Sequence, residues 1–130
     1  MNHLIEWQQD YHKYRAANFE VYRRLIQHLR EREIKIAFLE VVHNPAAETI
    51  IFKKPEVVKI FDEYQNDVKK FAQEMQVPYW DLAAAAHLDA KDFVDLVHLK
   101  KPKARRRYTA LLAQQISKIV PEAQIKEVFE

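Results

Sequence analysis

Asp95 and His98 stand three residues apart in the stretch DAKDFVDLVHLKKPKARRRYT, residues 89–109, with Leu96 and Val97 between them. On a helical turn that spacing brings two side chains to one place. A carboxylate there can accept a hydrogen bond from one imidazole nitrogen and fix the tautomer. It then stabilises the imidazolium formed when the other nitrogen takes a proton, which is the orienter-and-base half of a serine triad. Spacing alone is a weak signal, because a chain with 6 histidines produces such pairs by chance.

Other groups nearby carry competing chemistry. His87, Asp89, Asp92, Asp95 and His98 are metal-ligand types within twelve residues, and three-residue spacings could align several of them. Asp-rich loops are more often solvated caps and turns, so no metal and no cofactor is expected. The run KKPKARRRY, residues 100–108, holds six basic residues. It could touch phosphate, but its commoner use is as a solvated face or as ion-pair partners for the nearby aspartates. With a formal net charge of +2 and few interleaved aromatics, nucleic-acid binding is not expected.

Elements must place these groups. Residues 3–31 read as helix, from Leu4, Trp7, Tyr11 and Tyr14 through Tyr22, Leu25 and Leu29, with Asn18 as a candidate break. The apolar, β-branched IKIAFLEVV, 34–42, suits a strand buried on both faces. HNP, 43–45, is a turn signal, followed by a loop with a short extended piece at TIIF, 49–52. Pro55 fits the first position of a second helix, whose face is Val57, Ile60, Phe61, Tyr64, Val68, Phe71 and Met75. VPYWDL, 77–82, reads as a second strand, and 103–119 as a last helix with Tyr108, Leu111, Leu112, Ile116 and Ile119 inward. The tail AQIKEVF, 123–129, alternates like an edge strand.

The expected fold is therefore α/β: a small three-layer domain, order α-β-α-β-α(-β), with a short, mainly parallel sheet and long flanking helices. The 130 residues read as a single domain. No apolar run is long enough for a membrane span. The first residues lack a signal-peptide core, so the chain as written reads as cytoplasmic. No cysteine is present, which removes disulfides and thiolate chemistry. No glycine is present either, which excludes a P-loop, a dinucleotide fingerprint and the usual nucleophile elbow.

The order of a helix EVVKIFDEYQNDVKKFAQEM, a strand VPYWDL, an irregular loop, DFVDLVHL and a helix RRRYTALLAQQI resembles the C-terminal half of an SGNH/GDSL-type hydrolase. Asp95 and His98 match the family's Asp-x-x-His. Asp81 ends the strand where the family often has an aspartate, and IKIAFLEVVHNP resembles its penultimate strand and proline loop. The resemblance covers roughly residues 15–120. It implies acyl-ester or O-acetyl hydrolysis or transfer on a carboxylic ester or acetylated glycan, with Asp95 as orienter and His98 as base.

The departures are as informative. The family's serine follows its first strand in a Gly-Asp-Ser setting, whereas the only serine here is Ser117, in the last helix. The oxyanion glycine has no counterpart, Asn18 lacks the context of the family's asparagine, and Ala104 stands near a usual glycine. The resemblance thus implies an incomplete or non-catalytic domain, with little acyl-transfer activity alone, lacking its N-terminal half. The alternative is an oligomeric interaction domain, with the helix at 3–31 as an oligomerisation or cover element, since an open sheet edge needs covering.

Overall fold

The computed structural model describes the backbone of residues 2–120 and the side chains of residues 10–120. It is helix-rich, with a two-stranded parallel sheet. The elements are α1 (Asn2–Glu31), β1 (Phe38–Leu39), α2 (Pro45–Ile51), α3 (Pro55–Glu74), β2 (Tyr79–Trp80), α4 (Ala83–Ala86), a 3-10 turn (Ala90–Asp92) and α5 (Pro102–Ile119). They fall into two compact units, Met1–Ile36 with Ile51–Pro78, and Ala37–Ile50 with Tyr79–Glu130.

The first unit is a helix pair. α1 is continuous through Asn18, since no proline or glycine interrupts it. Pro55 opens α3, where a missing N–H leaves no helical bond unmade. Val57, Ile60, Phe71 and Met75 of the expected α3 face are buried, as is Ile26 of α1. The ring of Phe19 lies 4.9 Å from that of Phe71. Polar groups join the same two helices. The Tyr11 hydroxyl donates to Asp67 Oδ2 at 2.5 Å, and Arg15 pairs with Oδ1 of the same carboxylate. Burial first, and then that hydrogen bond, push the Tyr11 hydroxyl's pKa well above the usual phenol range. Arg30 caps the far end by donating to the Met75 carbonyl.

Both helices of this unit end in the same way. The Ile34 N–H donates to the Leu29 carbonyl at 3.0 Å and that of Val77 to the Ala72 carbonyl at 2.8 Å. The residues before them, Glu33 and Gln76, have φ of 58° and 53°. This is the closing bond pattern usually built around glycine.

The second unit carries the strands. β1 and β2 run parallel, with Phe38 opposite Tyr79 and Leu39 opposite Trp80. Three expectations are corrected here. The strand expected over 34–42 pairs only at Phe38–Leu39 and is not buried on both faces, since Leu39 and Val41 are exposed. TIIF is not extended: residues 45–51 form α2, because Asn44 and Pro45 make a helix start. The element order also contains two helices, α2 and α4, absent from the expected one. The alternating tail at 123–129 and the side chains of Leu4 and Trp7 lie outside the described residues.

Candidate functional site

The site begins at the loop between β2 and α5. α4 ends at His87, whose φ of 46° and ψ of 52° turn the chain left-handed. The 3-10 turn that follows is boxed by its own aspartates: Asp92 Oδ2 accepts the Asp89 N–H at 3.0 Å, and the Asp89 carboxylate accepts from the Asp92 backbone. Residues 92–100 then double back. The Lys100 N–H donates to the Asp92 carbonyl at 2.8 Å, Phe93 and Leu99 form an antiparallel bridge, and the Val94 N–H donates to the His98 carbonyl at 2.7 Å. Phe93 is buried and pins the base of this hairpin.

Asp95 and His98 close its tip. Asp95 Oδ1 accepts the backbone N–H groups of Val97 at 3.0 Å and His98 at 2.9 Å. The His98 ring nitrogen Nδ1 lies 2.8 Å from Asp95 Oδ2 and 3.0 Å from Oδ1. A carboxylate can only accept, so this geometry assigns the proton to Nδ1 and leaves Nε2 as the basic nitrogen. The backbone amides of His98 and Val97, and then the imidazole, hold the Asp95 pKa down at about 2. The pair is open to water, with side chains 75% and 55% exposed. It is thus a hydrogen-bonded carboxylate–imidazole pair on the surface, with Nε2 of the ring left without a role in that bond.

The basic run divides between structure and surface. Arg107 donates to the Ala86 carbonyl at 2.6 Å and the His87 carbonyl at 2.8 Å, and its guanidinium lies 3.6 Å from Asp92. Lys101 approaches the same carboxylate at 3.7 Å, and Arg105 donates to the Leu99 carbonyl at 2.7 Å. Asp92 is buried, and its pKa lies below the usual value: the Asp89 amide, Lys101, Arg107 and Lys91 outweigh the opposing burial. These basic residues therefore hold the loop together. Tyr108, inward on α5, has its pKa raised by burial and by the charge of Asp81, at the end of β2.

Among the described residues no three His, Cys, Asp or Glu side chains gather as metal ligands. Asp95 and His98 meet as a pair, whereas Asp92 of the same sequence cluster faces Arg107 and Lys101. Ser117 donates to the Gln114 carbonyl within α5. A groove of about 800 Å³ lies along α3 in the first unit, lined by Phe52, Lys59, Asp62, Glu63 and Asp67 among others; neither Asp95 nor His98 lines it.

One residue of the site escaped the sequence reading. Asn44, in the loop after β1, donates its N–H to the Leu96 carbonyl at 2.7 Å and its Nδ2 to the Asp95 carbonyl at 3.2 Å. The signal was its place before Pro45, which marks an N-cap as readily as a turn. Through it the hairpin tip is tied to the segment leaving β1's carboxyl end, the side of a parallel sheet where ligands gather. Compared with protein-family models, curated proteins and solved structures, the chain matches none. Among the described residues no helix is long and apolar enough to cross a membrane.

Proposed function

We propose that this chain is an incomplete SGNH/GDSL hydrolase-like domain of three-layer α/β type. It holds the orienter and base of an acyl-ester or O-acetyl hydrolysing site, and does not turn over esters efficiently alone. The observation that carries the reading is the clamp on His98. Asp95 is fixed by two backbone amides and presents its carboxylate to Nδ1, so Nε2 faces its chemistry in one tautomer.

In this reading Asp95 orients, and His98 takes the proton of an attacking hydroxyl as its oxygen adds to an ester carbonyl. The proton then passes from Nε2 to the leaving alcohol. The hydroxyl and the oxyanion donors come from a partner segment, because the chain has no glycine and Ser117 lies in α5. The substrate class is a carboxylic ester or an acetylated glycan.

Hydrolysis of 4-nitrophenyl acetate by the full chain, by His98→Ala and by Asp95→Asn tests the base. The expected result is a slow, burst-free rate that His98→Ala removes and Asp95→Asn lowers. Equal rates in all three proteins overturn the reading.

A specific observation favours a second reading, an oligomeric interaction domain. Tyr14, Val21, Tyr22 and Leu25 of α1 are all exposed, at 48%, 64%, 48% and 48%. Tyr14, Val21 and Leu25 recur at helical spacing on one stripe. A stable dimer in light scattering, together with an ester-inert His98, would favour it.

A further inference from the structure

We infer that Asn44 is a positioning residue for His98, and that it couples the first turn of α2 to the placement of the imidazole. The inference rests on the base role proposed for His98 and extends it to a residue distant in sequence, 51 positions from Asp95.

The argument lies in how Asn44 divides its hydrogen-bonding groups. Both donors point to the hairpin: the backbone N–H to the Leu96 carbonyl, and Nδ2 to the Asp95 carbonyl. Both acceptors serve α2. Oδ1 takes the Ala46 N–H at 3.0 Å, and the carbonyl takes the Glu48 N–H at 3.0 Å. That is the hydrogen bonding of an N-cap residue, and Pro45 follows it as the first helical residue.

The bonds reach the two residues that set the imidazole. Asp95 supplies its carboxylate, and Leu96 precedes the two amides that hold that carboxylate in place. Exposed hairpin tips with polar caps open easily in water. Here the tip is fastened at consecutive carbonyls by one side chain and its own backbone. Formation of the α2 turn orients Asn44, and an oriented Asn44 holds Asp95 and His98 in register. α2 is itself short, with seven residues and none buried. Such a helix depends on its cap, so the two elements support each other through this residue.

The sequence permits a variant that separates the two duties. Asn44→Asp keeps both acceptors for α2, since aspartate is an equally good N-cap. It removes the Nδ2 donor and sets a negative charge against the Asp95 carbonyl. Asn44→Ala removes both duties of the side chain, and Thr49→Ala changes α2 without touching the hairpin. All are made in the full chain and followed by NMR. The readouts are the His98 ring nitrogen shifts, the exchange rate of the His98 amide, and Cα shifts of 45–51 for the helix.

In Asn44→Asp the helix shifts stay. The His98 amide exchanges about fivefold faster, as the loss of one ordinary hydrogen bond requires, and the ring nitrogens move toward the mixed tautomers of a free imidazole. Thr49→Ala leaves the ring signals in place. Unchanged His98 signals in both Asn44→Asp and Asn44→Ala overturn the inference. Unchanged His98 with His98-dependent ester hydrolysis removes Asn44's role alone. Altered His98 in a chain without that hydrolysis keeps the coupling and removes the hydrolase reading.

Discussion

In the α1–α3 unit, rings and aliphatic side chains close over Phe71, and polar groups such as Tyr11, Arg15 and Asp67 join the two helices. In the strand-bearing unit the paired strands are only two residues long. There, side chains bond to backbone: Arg107 to two carbonyls, Asp92 and Asp95 to amides, and Asn44 to both donors and acceptors. The first arrangement is repetitive and tolerant, because burial is roughly proportional to area. The second is directional, and each partner has a fixed place. Imidazole and carboxylate are oriented by the second kind of chemistry, which fixes direction as burial alone cannot.

By that contrast, the largest effect comes from the helix pair. Phe71→Ala should lower stability by about 3–5 kcal/mol, measured by urea unfolding. Hydrogen exchange should then show opening concentrated in residues 11–31 and 55–75. A loss spread evenly through the chain would break the contrast and make the two units one cooperative body.

Arg107→Ala comes next. It removes two carbonyl contacts and a partner of buried Asp92, and should cost about 1–2 kcal/mol, since Arg107 is partly exposed. Exchange should quicken at residues 86–100, with α3 amides unaffected.

The smallest effect is a pH dependence at the hairpin tip. The folded Asp95 carboxyl, at about 2, lies below the ordinary aspartate value of about 3.9. Its ionised form therefore stabilises the tip fully above about pH 4, and the contribution fades as pH falls through about 2. Exchange protection of the Val97 and His98 amides, corrected for intrinsic rates, should fall over that window. Asp95→Asn should abolish the dependence.

The helix pair was largely visible in the sequence, and for the same reason that it is tolerant. Val57, Ile60, Phe71 and Met75 recur with the period of a helix, and burial follows period. Pro55 marked a start to the residue, and α5 begins one residue before the expected 103. The strands misled, because an apolar run such as 34–42 shows the capacity for pairing but not the number of partners present. Only Phe38 and Leu39 find one. Asp95 and His98 could be read because their partnership is local. The Asn44 contacts could not, because they join residues about fifty apart and no periodicity encodes them. Arg107 was visible only as charge. Its use as a clasp for the carbonyls at the end of α4 depends on His87 turning left-handed.

Glu33, Gln76 and His87 hold left-handed backbone without a glycine among them. Each is strained by about 1–2 kcal/mol relative to right-handed geometry, because its Cβ crowds the neighbouring carbonyl. A chain of 130 residues with no glycine also has a narrower denatured ensemble than one of average composition. Less backbone freedom is lost when it folds. Strain in the native reversals is thus set against a stiffer unfolded chain, and part of this protein's stability resides in the state that has no structure.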